Sequence, residues 1–392
     1  MATSGPAKPR LLMVGRTRYR LPLDASLKQK FDALEERFEL RVIGTALGGS
    51  PTANGVFRLV PPFRPRKLDG ARFFLTLPFR IARELREFRP DAVVVQGAHE
   101  AAAVVAARGL ARTRTPIVLD VHGDWRTATR LYGSPARRLV SPLADRIASD
   151  AVRRADALRT VSDYTTGLVR ELGREPAAVF PAFMDLGPFL GPPQPLPTRP
   201  SALFVGVLEH YKDVDGLGGA WRLAAPRLPG VLLHVVGKGT RRATIEKLVT
   251  DLPEQTRWTP ELDTSGVAAA LDGATVLVLP SRSEGMGRVL VEALCRGRPV
   301  VGTSVGGIRD LIVDGENGLL VEPRDPAALA DALVRVLSDR GLAERLAGAA
   351  RPSAEPWIAT PDEYAERLSV LIASLAPLGG GSSRAKPGSA DA

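Results

Sequence analysis

The chain has 392 residues, and its 53 Lys and Arg residues outnumber its 43 Asp and Glu residues, which gives a net charge of +10. Its 44% hydrophobic and 24% charged content is typical of a globular protein, and its length favours two domains. No run of about 18 apolar residues occurs, so a membrane-spanning helix is excluded. The single cysteine, Cys295, excludes an internal disulfide and a cysteine-cluster metal site.

Three kinds of partner could explain the positive charge, namely nucleic acid, anionic lipid and phosphorylated substrates. An arginine-rich composition explains it without any partner. No zinc-finger spacing, aromatic RNA-binding signature or recognition helix is evident, so nucleic acid is not predicted as a partner. The N-terminal segment leads directly into LLMVG without the pattern of a signal peptide. We therefore expect a cytoplasmic protein, with peripheral contact at the inner face of the membrane as an alternative.

In the N-terminal half, short apolar runs alternate with amphipathic stretches. Strands are predicted at LLMVG (11–15), LRVIG (40–44), DAVVVQG (91–97), PIVLDVHG (116–123) and ALRTVS (157–162). Helical spacing is found at 32–38, 73–88 and 143–155. Continuous apolar strands between amphipathic helices favour a parallel sheet that is covered on both faces.

A proline-rich segment separates this half from a second α/β alternation. LGPFLGPPQPLPTRP (186–200) can form neither a regular helix nor a central strand. Beyond it, strands are predicted at 202–208, 231–237, 274–280, 298–304 and 318–322, and helices at 325–337 and 363–375. Asp325 and Pro326 are typical of an N-cap and a first helical residue.

The predicted fold class is α/β, with two Rossmann-like doubly wound domains that face a central cleft. We expect an N-terminal domain at 1–185, a linker at 186–200 and a C-terminal domain at 201–377, with the last helix packing back on the first domain as an alternative. The tail at 378–392 has the composition of a disordered segment. A ligand is expected between the domains, at the carboxyl ends of the strands.

The stretch LPSRSEGMGRVLVEALCRGRPVVGTSVGG (279–307) raises the question of what two carboxylates do beside a buried helix. The amides of 287–289 fall in the unpaired first turn of that helix, where they would bind an anion. Glu284 lies on the loop and Glu292 more than one turn inside the helix, so the two would contact different parts of one ligand. Carboxylates accept hydrogen bonds from vicinal hydroxyls, which favours a nucleotide-diphosphate sugar. The alternative is a capped amphipathic helix with two solvated glutamates.

The same stretch resembles the retaining glycosyltransferases of the GT-B fold, in particular family four. That family carries a proline-ended strand, Glu-Gly-aromatic-Gly, a second glutamate, Gly-x-Pro-Val-Val and a Gly-Gly turn, and here Met286 occupies the aromatic position. The resemblance implies that Glu284 holds hydroxyls of the transferred sugar and that Glu292 binds the nucleotide ribose. It implies phosphate-binding amides and a turn beside the donor at Gly287, Arg288, Val289, Gly306 and Gly307.

The segment FVGVLEHYKDVDGL (204–217) resembles the phosphate-binding strand and loop of the family. Lys212 matches the family lysine, whereas Val207 stands where an arginine is common. One of two cations on the diphosphate is therefore missing, and Arg288 is one candidate to replace it. The Gly-x-Gly that begins at Gly237 follows a strand, and the resemblance implies a position near the nucleotide base.

Two positions of the N-terminal half also match the family. His122 ends the strand PIVLDVHG, where a family histidine touches the donor sugar, and a structural histidine is the alternative. Gly15 stands where the family has a glycine-rich loop that contacts donor and acceptor. Here the loop is basic, with Arg16 and Arg18, which favours an anionic or phosphorylated acceptor such as a lipid carrier. Solvated surface arginines are the alternative.

The stretch ARFFLTLPFRIARELREFR (71–89) mixes apolar and basic residues at helical spacing. It predicts either an ordinary covering helix, with Pro78 near its start, or a helix on a membrane surface.

The resemblance as a whole implies a retaining glycosyltransferase that moves a sugar, expected to be a hexose, from a nucleotide-diphosphate donor to a hydroxyl acceptor. Glu284 and His122 are expected at the reacting sugar, the first domain would bind the acceptor and the second the donor. No cofactor beyond the nucleotide sugar is implied, and no metal, in agreement with the lack of an Asp-x-Asp motif. The alternatives are a nucleotide-sugar epimerase and a non-catalytic nucleotide-sugar or lipid-binding protein, which Val207 and the altered Gly15 loop keep open.

Overall fold

The computed structural model describes residues 7–63, 65, 68–126 and 135–375, with the backbone alone at 135–140. Within those ranges the chain forms two open sheets covered by helices. The strands are β1 Arg10–Tyr19, β2 Glu39–Ala46, β3 Ala53–Asn54, β4 Phe57–Val60, β5 Ala92–Gln96, β6 Ile117–Val121, β7 Ala157–Thr160, β8 Ala178–Val179, β9 Ser201–Val205, β10 Leu232–Val236, β11 Thr256–Thr259, β12 Val276–Leu279, β13 Val300–Thr303 and β14 Gly318–Val321.

The α-helices cover both faces of each sheet. They are α1 Ala25–Arg37, α2 Asp69–Glu87, α3 Ala98–Ala111, α4 Pro135–Arg154, α5 Asp163–Arg170, α6 Val214–Ala224, α7 Arg242–Asp251, α8 Thr264–Asp272, α9 Arg288–Cys295, α10 Ile308–Leu311, α11 Pro326–Ser338, α12 Arg340–Ala354 and α13 Pro361–Ala373. Short 3-10 turns are found at Gly187–Phe189, His210–Lys212, Ala225–Arg227 and Glu355–Trp357. Asp325 caps α11 by accepting a hydrogen bond from Ala328 N, as its sequence predicts.

The sheets have the topology expected of two doubly wound units. The N-terminal sheet has the order β3-β4-β2-β1-β5-β6-β7-β8 and is parallel except for the β3–β4 pair. The C-terminal sheet, β11-β10-β9-β12-β13-β14, is parallel throughout. The predicted fold class, two parallel α/β sheets, is confirmed. The chain order reverses beside β1 and beside β9, which places candidate binding residues at the carboxyl ends of the central strands.

The structure corrects the prediction that Gly15 ends the first strand. β1 continues to Tyr19, with Arg18 opposite Thr45 of β2 after a register shift that follows Val14. The extension is stabilised by burial of Tyr19, whose ring centroid lies 5.1 Å from that of Phe57. The predicted basic loop is therefore mostly the end of a central strand.

The chain passes between the two sheets at two places. Residues 186–200 follow β8, and Phe189 and Leu196 of this segment are buried in the C-terminal core. After α12 the chain returns, and α13 packs on α1 and on Phe180. Its buried residues Tyr364 and Leu368 belong to the core of the N-terminal sheet. In the described part of the chain, no helix is both long and apolar enough to cross a membrane.

Candidate functional site

The loop between β12 and α9 is the centre of the candidate site. Gly287 precedes α9 with φ +73°, a left-handed conformation that favours glycine, and no side chain caps the helix there. An added Cβ at Gly287 would lie 2.7 Å from Leu290 Cδ1, so a larger residue would displace the first turn. The amides of Arg288 and Val289 therefore lie in the first turn of the helix without a side-chain cap, the arrangement that binds anions. At the other end of α9, Cys295 is fully buried, as its apolar neighbours suggest.

The Gly306–Gly307 turn packs directly on this loop. Gly307 N donates a hydrogen bond of 3.0 Å to Glu284 O. A Cβ at Gly306 would lie 2.0 Å from the same oxygen, and a Cβ at Gly307 would lie 2.1 Å from Gly285 O. The two turns are thus in backbone contact, and the sequence-predicted residues on both of them lie together.

Residues of the N-terminal half reach the same loop from the opposite side. A Cβ at Gly285 would lie 1.9 Å from His122 O, so the two backbones touch. Ser162 Oγ lies 3.3 Å from Gly285 O and donates to it. The Tyr164 amide donates to Asp310 Oδ2 at 2.8 Å, just beyond the Gly-Gly turn. The structure therefore places the His122 backbone against the loop that carries Glu284.

Lys212 and Glu284 form an ion pair. Lys212 ends the 3-10 turn after β9 and is 8% exposed. Its Nζ contacts Glu284 Oε2. A largely buried ammonium group is stable only with a partner, and a carboxylate or a phosphate can serve as that partner.

Glu292 and Arg288 form a second ion pair one turn into α9. Arg288 Nε lies 2.6 Å from Glu292 Oε1, and the Glu292 residue is 6% exposed. Burial raises the pKa of Glu292 above its usual value, and Arg288 offsets only part of that effect. The arginine side chain is half exposed, so this pair lies at the edge of the site.

Arg282 is a residue of the same loop that the sequence analysis did not identify. Its amide donates to Tyr211 O at 2.7 Å, and its guanidinium contacts Asp213 Oδ1 and lies 3.1 Å from His210 Nε2. It links the Glu284 loop to the segment that carries Lys212. Val207, the position where the family has arginine, is 46% exposed. In the sequence, only the positive charge of Arg282 could have indicated it as a residue of the site.

Two buried charges beneath His122 were also missed. His122 Nε2 lies 3.3 Å from Asp120 Oδ2, and Arg159 Nη1 donates to the other oxygen, Oδ1, at 2.7 Å. Burial alone would raise the pKa of Asp120, but Arg159 and His122 outweigh it and hold the carboxyl well below its usual range. Asp120 and Arg159 are direct neighbours on β6 and β7. In the sequence, Asp120 and Arg159 could have been found as two opposite charges in two otherwise apolar strands.

The other predicted residues lie on β1 or directly after β10. Gly15 faces Gln96 of β5, and the guanidinium of Arg16 lies 5.8 Å from the Phe74 ring on α2. Gly237 approaches Gly206 so closely that a Cβ would lie 1.9 Å from its carbonyl oxygen. The structure therefore joins the turns after β9 and β10, and it places Arg16 against α2.

Arg18 lines a separate cavity of about 200 Å³ at the carboxyl ends of β1, β2 and β4. Thr45 and Asp69 contribute polar groups, and Leu47 and Phe63 contribute apolar ones. The Thr45 hydroxyl is buried without a hydrogen-bond partner. A hydroxylated ring would satisfy such a lining better than a purely apolar group would. Across the described residues, no group of three or more His, Cys, Asp and Glu side chains could hold a metal ion.

Comparisons with known proteins identify the family of the chain. A family model described as Glycosyl transferases group 1 matches residues 192–352, and one described as Glycosyltransferase Family 4 matches residues 28–187. The chain is 31% identical over 275 residues to glycogen synthase of Mycobacterium tuberculosis, covering 68% of this chain and 64% of that protein. It is 42% identical over 172 residues to D-inositol 3-phosphate glycosyltransferase of Frankia alni, covering 40% and 42%. The chain thus spans less than two thirds of the length of these relatives.

Solved structures share the fold over nearly the whole chain. Sucrose-phosphate synthase from Thermosynechococcus elongatus superposes with a TM-score of 0.74 at 20% identity, covering 93% of this chain and 99% of the other. HepE from Anabaena in complex with UDP-glucose superposes with a TM-score of 0.66 at 17% identity, covering 92% and 99%. At these identities the likeness shows the fold alone, which is GT-B. Together with the two family models, it establishes that the chain belongs to family four of the glycosyltransferases.

Proposed function

We propose that this chain is a retaining glycosyltransferase that moves a sugar from a nucleotide-diphosphate donor to a hydroxyl acceptor. The observation that carries the proposal is the convergence on the Glu284 loop of Lys212, the Gly306–Gly307 turn and the His122 backbone. These groups lie beside the uncapped first turn of α9, so that a cation, backbone amides and a carboxylate fall within one site. A diphosphate sugar needs that combination, because it has charge at one end and hydroxyls at the other.

The donor would lie with its phosphates at the start of α9. Backbone amides of Arg288 and Val289 together with Lys212 would neutralise the leaving diphosphate. Glu292 would accept hydrogen bonds from the ribose, and Glu284 and His122 would contact the transferred sugar. Catalysis would then come from positioning and charge stabilisation, with no protein nucleophile and with the leaving phosphate helping to deprotonate the acceptor.

The donor base is proposed to be uracil. Solved neighbours of the same fold hold UDP, among them TarM of Staphylococcus aureus and HepE of Anabaena, and the second of these also holds UDP-glucose. The curated relatives differ from one another in their sugars and acceptors. A UDP-hexose is the first donor to test, because a solved neighbour holds UDP-glucose. We place the reaction in the cytoplasm, where nucleotide sugars are available.

The acceptor is proposed to bind in the cavity beside Arg18. Its volume of about 200 Å³ suits a single ring. Arg18 would pair with a phosphate or carboxylate on that ring, and Asp69 and the unpartnered Thr45 hydroxyl would bind its hydroxyls. A phosphorylated or lipid-linked hydroxyl acceptor is therefore the class we favour.

A thermal-shift screen with UDP, GDP, ADP and their sugar conjugates, with and without EDTA, tests the donor proposal. A ligand at 100 times its dissociation constant stabilises the fold by about 2.7 kcal/mol. We expect one base to give a shift that EDTA leaves unchanged. The same donor should then release its nucleotide when candidate acceptors are added. No shift with any nucleotide would overturn the donor site.

A non-catalytic binding protein is the second candidate, because Val207 removes a cation that the family uses on the diphosphate. It predicts a nucleotide shift without sugar turnover for any acceptor. Turnover that depends on Glu284 excludes it.

A further inference from the structure

An exposed apolar face on α2 remains after the sheet is covered. The opposite side of this helix, including Phe73, Leu77 and Ile81, is buried in the N-terminal core. On the outer side, Leu75 is 73% exposed and Phe79 is 68% exposed, one turn apart. Such large apolar residues at adjacent turns leave a patch that water solvates poorly.

The exposed charges around this face are mostly positive. Arg80 and Arg83 are exposed on the C-terminal part of the same helix. The acidic residues between Leu68 and Arg86 are Asp69, whose carboxylate accepts a hydrogen bond of 2.8 Å from Phe63 N, and Glu84, which is buried against Arg41. At the end of the helix Arg83 pairs with the exposed Glu87 at 2.8 Å. The exposed face of α2 therefore presents apolar groups and an excess of guanidinium groups, because Arg80, Arg83 and Arg86 are exposed against that one exposed carboxylate.

The neighbouring helix layer repeats the pattern. α2 packs on α3 and α3 packs on α4, so all three helices cover the same side of the N-terminal sheet. On α4, Leu143 and Ile147 are exposed one turn apart, with the exposed Arg146 between them. We call the exposed faces of α2 and α4 together the arginine–leucine face.

We propose that the arginine–leucine face docks on an anionic membrane surface. Apolar side chains at adjacent helical turns can enter the boundary between headgroups and acyl chains, while arginines beside them pair with lipid phosphates. The net charge of +10 adds long-range attraction to such a surface. A second copy of the chain is the weaker candidate, because a two-fold contact would place arginines opposite arginines. This proposal does not depend on the donor chemistry.

The test is flotation of the full chain with phosphatidylcholine vesicles and with mixed phosphatidylcholine–phosphatidylglycerol vesicles. We expect binding to the mixed vesicles only, reduced by added salt. The double variant Leu75→Glu with Phe79→Glu should lower that binding by about tenfold or more. The matched control carries Leu223→Glu on α6 and Val370→Glu on α13, which are exposed apolar residues elsewhere, and should bind like the wild type.

Three results would overturn the proposal. The first is that the wild type does not float with the mixed vesicles. The second is that the control variant loses as much binding as the α2 variant, and the third is that the α2 variant binds as the wild type does. Because Leu75 and Phe79 are exposed, both variants should fold, and unchanged thermal unfolding checks this. Nucleotide-induced thermal shifts should be equal in the two variants, which separates membrane docking from the donor site. A concentration-dependent dimer that the α2 variant abolishes, without vesicle binding, would assign the face to a second copy instead.

Discussion

Lys212 and Glu284 are paired with each other, although the proposed donor would contact them at different atoms. The ammonium group that would neutralise a diphosphate is already neutralised by the carboxylate that would bind the sugar. Donor binding would then exchange partners, since phosphate would replace the carboxylate at Lys212 and sugar hydroxyls would replace the ammonium at Glu284. This exchange would limit the desolvation cost, because Lys212 would keep an anionic partner and Glu284 would keep hydrogen-bond donors.

Glu284→Ala should separate binding from transfer. Without the carboxylate, Lys212 lacks its protein partner, so UDP should bind at least as tightly as it does to the wild type. Transfer should fall by about a hundredfold or more, because the sugar is no longer held in place. Calorimetric titration with UDP and single-turnover assays with a UDP-sugar measure the two effects. Glu316→Ala, at an exposed glutamate on the loop before β14, is the matched control. Wild-type transfer by Glu284→Ala would remove this residue from the site.

Lys212→Met should give the reverse pattern. A charge-assisted hydrogen bond to phosphate is lost, so the affinity for UDP should fall by about tenfold or more. Uridine has no phosphate, and its affinity should stay the same. Titration with both ligands gives the ratio directly. Equal losses for UDP and uridine would place Lys212 away from the diphosphate.

Glu292→Gln should stabilise the fold at neutral pH while weakening nucleotide binding. Because burial raises the pKa of Glu292 in the folded state, its charged form opposes folding. That penalty is absent below the unfolded pKa, where both states are protonated, and it develops as pH rises towards the folded pKa. The gain in melting temperature on substitution should therefore be larger at pH 7 than at pH 4. Thermal unfolding at both pH values measures it, and a gain that is larger at pH 4 would contradict the sign.

Gly285→Ala should disturb the contact between the two halves. The new Cβ would lie 1.9 Å from His122 O, so one backbone must move away from the other. We expect transfer to fall by about a hundredfold, because a shift of about 1 Å at a catalytic site has that effect. Gly348→Ala is the control, since nothing lies within 4 Å of its added Cβ on α12. Comparable activity losses in both variants would disprove a local effect at His122.

The sequence predicts the fold because its short apolar runs match buried strands and its amphipathic stretches follow the period of the α-helix. It misses β11, β3 and β4, whose runs are short and carry polar residues such as Arg257. The predicted end of β1 at Gly15 is also too early, because the charged Arg16 and Arg18 are not typical of a buried strand. The rest of β1 depends on the packing of Tyr19 against Phe57, which is distant in sequence. Local patterns do not record such tertiary stabilisation.

The candidate site is predicted to a similar extent. The motif residues from Glu284 to Glu292 are named through the family resemblance, and they lie on one loop and helix because they are close in sequence; their roles stay predictions. Asp120, Arg159 and Arg282 are missed because their partners come from other strands and loops. The Lys212–Glu284 pair joins two segments 72 residues apart, and only the folded chain reveals it.

The return of the chain to the N-terminal sheet after residue 358 has a mechanical consequence. Two covalent crossings join the halves, one through 186–200 and one before α13, which is anchored by Tyr364. Two bodies joined at two points retain one free rotation, about the line through those points, whereas a single tether would also allow twisting and sliding. Opening of the cleft should therefore follow a fixed arc, and each closure should return the Gly285 backbone to the same place beside His122.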